Sequence, residues 1–261
     1  MGLFDFLLKK PAPAPPIKIL PPDRPEADIS KTYIVVQLFN TPREERDDKW
    51  RQQFYENVAT ASFACDTPQV LTGLDGFPYF ILRTPEENKP FESFCIKNMT
   101  EDFLLERGWG VVFNPAENGA ADWVFTNGNI VNLHLNNRFF SGTEDAAIAN
   151  IEFTKNVGKV KKAEQVMVAQ PSAAYLPDGT RAALKNFLQS KGVKKPKLMM
   201  LTSHNQGSMT RKLAFNIHPE NYPVVSKLDH LMQQVGWFLP NDYIIIPLPA
   251  NSELASGFNE M

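Results

Sequence analysis

Residues 32–39 (TYIVVQLF) are dense in β-branched and aromatic side chains, which predicts a buried strand. The chain then turns charged, and Thr41 and Pro42 open a helix to about residue 63. Along it Trp50, Phe54, Val58 and Ala61 recur at helical spacing and make one apolar stripe. Residues 77–83 (FPYFILR) predict a strand, with Pro78 near its start where a missing donor is tolerated. Asn98 or Thr100 caps a short helix that runs to Arg107 and stops at Gly108. Residues 109–113 (WGVVF) and 121–125 (ADWVF) read as strands joined by a turn over 114–119. Asn127-Gly128 reads as a tight turn, after which Ile130, Val131, Leu133 and Leu135 continue as a strand. Residues 136–165 are less regular, with loops, a short helix and a connection between halves.

The second half alternates more cleanly. Residues 177–190 predict a helix with Leu184, Phe187 and Leu188 on one face. Residues 198–202 (LMMLT) and 212–217 predict strands around a polar hairpin loop at 204–210. Pro219 opens a helix to Gly236, with Tyr222, Val225, Leu228, Met232 and Val235 as its buried stripe. Residues 242–248 (DYIIIPL) close the unit as a strand. The order predicts an α+β protein of two subdomains with mixed or antiparallel sheets, over 31–165 and 166–250. Residues 1–30 stand ahead of them as an apolar segment and proline-rich linker, and 251–261 follow as a loose tail.

Composition narrows the class. The 261 residues are 43% hydrophobic and 21% charged, which excludes a disordered chain, a collagen and a disulfide-stapled miniprotein. No apolar run approaches the roughly 20 residues of a membrane-spanning helix. The formal net charge of -2 hides an uneven distribution, with twelve basic and two acidic residues between positions 155 and 212. Such a segment attracts phosphates or an acidic protein, which keeps a nucleic-acid binder among the alternatives. Its lysines, Lys159, Lys161, Lys162, Lys194, Lys195 and Lys197 among them, read equally as solvated flanks of strands.

The first residues, MGLFDFLLKK, are short, apolar and end in two lysines. They lack the length and cleavage site of a secretory signal, and Phe6 stands where a myristoylation pattern needs Ser or Thr. Seven prolines within residues 11–25 favour an extended, semi-rigid spacer. Leu3, Phe4, Phe6, Leu7 and Leu8 therefore read as a small amphipathic anchor for a partner or a membrane surface. With no signal and two unpaired-looking thiols, a cytoplasmic protein is expected.

Candidate chemistry is sparse. No nucleophile elbow, zinc-protease helix, phosphate loop or dinucleotide fingerprint occurs. Cys65 and Cys95 are too few and too far apart for a zinc cage, and His134, His204, His218 and His230 lack metal-ligand spacing, so neither metal nor cofactor is expected. Paired carboxylates such as Glu44/Glu45, Asp47/Asp48 and Glu86/Glu87 read as solvated faces. His134 falls in an alternating run and is expected on the polar face of a strand. The sharpest enzymatic alternative is a thiol–imidazole pair of Cys95 with His134, which needs neighbouring strands. Cysteine is more often a small buried hydrophobe. Trp109, Phe113, Trp123 and Phe125 likewise read as core rather than as a stacking platform for bases.

Residues 171–248 resemble the C-terminal domain of the SseB family, the bacterial enhanced serine sensitivity proteins. The matching features are a helix ending in Phe187-Leu188, then Gly192-Val193-Lys194-Lys195 leading into Leu198-Met199-Met200-Leu201. A polar hairpin, the strand Leu213-Ala214-Phe215-Asn216-Ile217, a helix and the strand Tyr243-Ile244-Ile245-Ile246-Pro247-Leu248 complete it. Residues 108–115 (GWGVVFNP) and 123–133 are more faintly similar to the family's N-terminal domain. The proline-rich start and the helix over 43–63 have no clear counterpart there. The resemblance implies an accessory or regulatory protein linked to serine sensitivity and sulfurtransferase-related metabolism, with no catalytic residues to carry over. Together with the missing motifs it predicts a non-catalytic protein that works by binding another protein. The contacts expected are Leu3, Phe4 and Phe6 at the tail, and Lys191, Lys194, Lys195 and Lys197 around the segment leading into the strand.

Overall fold

Asp28 decides the first element. Its carboxylate accepts from the Ser30 backbone N–H at 2.9 Å, an N-cap that starts helix α1, Ile29–Phe39. The strand expected over 32–39 is therefore a helix. β-branched residues cost a helix only a few tenths of a kcal/mol each, whereas a cap is worth about 1 kcal/mol. Burial of Thr32 and Val35 on one side fixes the result, and Tyr33 and Ile34 are left exposed. Asp47 caps α2, Asp48–Val58, through the Trp50 N–H at 2.8 Å. Trp50, Phe54 and Val58 are buried along α2 as their spacing requires. The helix expected to run from Thr41-Pro42 to about residue 63 is shorter at both ends: Arg43–Glu45 is a separate 3-10 turn, and Ala61 is buried beyond the helix in a bridge to Asp28.

The computed structural model describes residues 27–141, 150–151, 166–205 and 208–261, and the fold is α+β with two mixed sheets. The first sheet has the order β1-β2-β3-β4: β1 Val70–Thr72, β2 Pro78–Leu82, β3 Gly110–Phe113 and β4 Trp123–Phe125. Its central pair β2/β3 is parallel and its outer pairs are antiparallel. Between β2 and β3 the chain forms α3, Ile96–Met99, then a π-helical turn over Thr100–Leu104, then α4, Leu105–Arg107. Gly108 ends α4 in the left-handed conformation, φ 64°, which glycine adopts without strain.

Asn127-Gly128 is not a hairpin turn. Thr126 and Asn129 form a reciprocal capping box and start α5, Asn127–Asn136. His134 is consequently a helical residue, and the strand expected over 130–135 is absent. The second sheet runs β10-β7-β8-β9-β5, with β6 also paired to β7. Its strands are β5 Asn150–Ile151, β6 Val166–Ala169, β7 Lys197–Asn205, β8 Ser208–Phe215, β9 Ile244–Pro247 and β10 Asn259–Glu260. Helices α6, Asp178–Ser190, and α7, Val225–Gly236, pack on one face. Val225 is 68% exposed, because α7 begins there, after a separate 3-10 turn at Pro219–Asn221. The buried stripe is thus Leu228, Leu231, Met232 and Val235. Residues 251–261 do not trail away: β10 pairs with Lys197 and Leu198, and Leu254 and Phe258 pack against Met199, Leu201 and Ile246.

Alternation along β2 and β3 buries both faces of the first sheet. Phe80, Leu82, Val111 and Phe113 meet α1, α2 and α5 through Val35, Phe54 and Ile130. Tyr79, Ile81 and Val112 point the other way, into a core shared with Leu184, Leu231, Trp237 and Phe215 of the second half. The halves are stitched by polar contacts as well. Gly128 N–H donates to the Trp237 carbonyl at 2.9 Å, and Ser141 N–H to Asn241 Oδ1 at 3.1 Å. The Trp237 indole donates to Tyr79 Oη at 3.0 Å, and Tyr79 donates to Asp75. Among the described residues no helix is long and apolar enough to cross a membrane.

Candidate functional site

Two clefts of contrasting chemistry open around this junction. The first lies where α4 crosses α6. The crossing is close because Gly108 carries no side chain: a β-carbon there would stand 2.7 Å from Ala183 Cβ and 3.2 Å from the Phe238 ring. Beside it a cleft of about 630 Å³ is lined by residues of both halves. Its floor is aromatic. Phe77 stacks on Trp237 at 4.1 Å and meets Phe238 edge-on at 5.6 Å, and Phe187 packs on Phe238 at 5.1 Å.

Two cations stand at the rim of this cleft, each over a ring. The Arg107 guanidinium lies 4.7 Å from the centroid of Trp109, and Lys191 Nζ lies 5.2 Å from that of Phe187. Such contacts hold long side chains in place without removing their charge. Among the described residues of the lining Glu106 is the one carboxylate, and Asn186, Ser190 and Gln234 supply neutral polar groups. An aromatic floor, an arginine and a polar rim are the ingredients of a binding hot spot.

The second cleft, about 580 Å³, belongs to the first half alone. It lies between the β1–β2 hairpin and the β3–β4 loop, over Leu71, Tyr79, Val112 and Val124. Asp75 and Glu117 are the charged groups among the described residues that line it. Burial pushes the Tyr79 phenol well above its ordinary range, with its hydrogen bond to Asp75 adding to the shift.

Of the lysines expected at a contact, Lys191 lines the aromatic cleft at the C-cap of α6. Lys194 and Lys195 are exposed beyond it, and Lys197 begins β7 with its N–H bound to Asn216 Oδ1 at 2.7 Å. Leu3, Phe4 and Phe6 lie outside the described residues. Arg107, Trp109, Phe77 and Phe238 complete the cleft and were not singled out for it by sequence. The cation–ring pairs Arg107/Trp109 and Phe187/Lys191 are the local signal that was there to be read.

The thiols face other partners. Cys95 is buried and donates to the Ala59 carbonyl at 3.3 Å, while His134 Nδ1 lies on the surface of α5, 4.0 Å from Glu101. Cys65 lines a polar cleft with the Asp66–Arg83 ion pair, and burial, reinforced by Asp66, pushes its thiol up to about 11. A thiol raised in this way is a poor nucleophile at neutral pH. His218 Nδ1 sits 2.9 Å from the Leu248 carbonyl, and His230 and His204 are exposed. Among the described residues no three metal-ligating side chains gather. Arg211 and Lys212, neighbours on β8, alternate to opposite faces of the sheet, and Lys155, Lys159, Lys161 and Lys162 of the basic segment lie outside the described residues.

Comparison with known proteins finds no matching family model, no matching curated protein and no matching solved structure. The fold and its clefts define an α+β protein with a cationic, aromatic cleft at the junction of two sheet layers.

Proposed function

We propose that the protein is a cytoplasmic accessory protein that acts by binding another protein, the role its resemblance to the SseB family also implies. The binding surface is the cleft between α4 and α6, and its ligand is a segment carrying an aromatic or aliphatic side chain flanked by carboxylates. The observation that carries this reading is the pairing of Arg107 and Lys191 with rings around an apolar floor. The apolar residue of the ligand fills the floor against Phe77, Phe187 and Phe238. Its carboxylates meet the two cations, which their rings already hold in position, so little side-chain entropy is lost on binding.

Selection of the full-length protein against a random peptide library tests this. Enrichment of acidic peptides with a central aromatic or large aliphatic residue is expected, with binding weakened by salt. Enrichment of basic peptides, or binding indifferent to Arg107→Glu with Lys191→Glu, contradicts it.

A further inference from the structure

The second cleft has the opposite character, and the chain contains a segment that complements it. Leu74 at the tip of the β1–β2 hairpin is 96% exposed, and Val124 on the edge strand β4 is 43% exposed. They frame the concavity over Leu71, Tyr79 and Val112. A single exposed leucine is ordinary, but Leu74 and Val124 join the half-buried Leu71 around one concavity, and contiguous apolar surface of this kind marks a docking site. Among the described residues that line this cleft the charged groups, Asp75 and Glu117, are both negative, and Arg43, outside the lining, reaches its edge at the Ala121 carbonyl. Residues 1–10, MGLFDFLLKK, offer five large apolar side chains followed by Lys9 and Lys10. Fully extended as polyproline II, at about 3.1 Å per residue, the intervening residues 11–26 would reach about 50 Å. That reach is well beyond the radius of gyration of about 18 Å expected for a folded chain of this length, so the tether does not confine the segment to the surface beside Ala27.

We propose that residues 3–8 of this chain dock in the cleft between the β1–β2 hairpin and the β3–β4 loop, with Lys9 and Lys10 against Asp75 and Glu117. Phe4 and Leu8 bury against Leu74, Val112 and Val124. The proline-rich stretch acts as the tether that raises the local concentration of the segment at its own cleft. The contact is independent of the aromatic cleft and survives if that reading fails.

The test uses the full-length protein with a photo-cross-linking phenylalanine analogue in place of Phe4. Cross-links mapped by mass spectrometry are expected within one chain, to residues 71–75 and 112–124. Their yield is independent of protein concentration and drops when excess synthetic peptide of residues 1–10 is added. Leu74→Glu changes a fully exposed position and leaves folding intact, yet lowers the yield by about tenfold, as expected for losing one buried aliphatic contact. Lys9→Glu with Lys10→Glu lowers it further at low salt than at high salt. Cross-links to other parts of the chain, links only between copies that vanish on dilution, or a yield indifferent to Leu74→Glu overturn the proposal. So does a segment that is captured by phosphatidylglycerol vesicles and gives no cross-link to the cleft in their absence.

Discussion

The two clefts share a sheet but differ in origin. The aliphatic, acidic cleft is built by the first half alone, from one hairpin and one loop on β1 to β4. The aromatic, cationic cleft needs both halves, since Phe77, Arg107 and Trp109 come from one and Phe187, Lys191 and Phe238 from the other. A cleft made within one layer depends on that layer's own hydrogen bonds. A cleft made at a junction depends on how closely the halves approach, which here is set by glycines. The difference makes the junction the lever for separating the two sites.

The strongest way to break the comparison is Gly128→Ala. A β-carbon there would collide with the Leu239 carbonyl, a backbone group that cannot swing aside. Overpacking of this kind costs about 3 kcal/mol, or about 6–12 °C in Tm for a chain of this length. Thermal unfolding measures it, and ligand binding at the aromatic cleft should weaken while cross-linking at the acidic cleft persists. A smaller effect comes from Tyr79→Phe, which leaves the Trp237 indole N–H without its acceptor and should cost about 1–2 kcal/mol in chemical denaturation. Arg107→Glu with Lys191→Glu acts on exposed groups, so stability should stay within about 0.5 kcal/mol. Affinity for an acidic peptide should fall by about tenfold or more, measured by titration calorimetry.

The smallest effect is on pH. The Cys65 thiol is raised in the folded protein to about 11 from an ordinary value of 9.0. A raised thiol stays protonated longer when folded than when unfolded, so its contribution is complete below pH 9 and is lost as pH rises through about 11. Alkylation of Cys65 by iodoacetamide should accelerate steadily between pH 8 and about 11. A plateau already reached near neutrality would show an activated thiol and reopen the enzymatic alternative.

Long-period signals carried much of the fold. The stripe Trp50, Phe54 and Val58, the stop of a helix at Gly108, and the α6-β7-β8-α7-β9 order were legible from spacing and turn residues. The start of that helix at Ile96, ahead of the Asn98 or Thr100 cap expected, and its π-turn were not. Two elements failed where capping side chains, with burial in the case of α1, outweighed propensity. The β-branched run of α1 became helical because Asp28 caps it, and Asn127-Gly128 opened a helix because Thr126 and Asn129 cap each other. β10 was invisible because its residues pair with Lys197 and Leu198 far along the chain and carry no pattern of their own. The site was legible only in part. Lys191 was identifiable from its basic surroundings, but Phe77, Trp109 and Phe238 meet it through contacts that no local spacing encodes.

Hydrogen exchange on the protein with and without a library-selected acidic peptide tests the central claim most directly. The account predicts new protection in residues 105–109 and 183–192, the two sides of the aromatic cleft, and its loss in the Arg107→Glu, Lys191→Glu variant. Protection confined to residues 71–75 and 115–124, or none in the α4–α6 region, would contradict it.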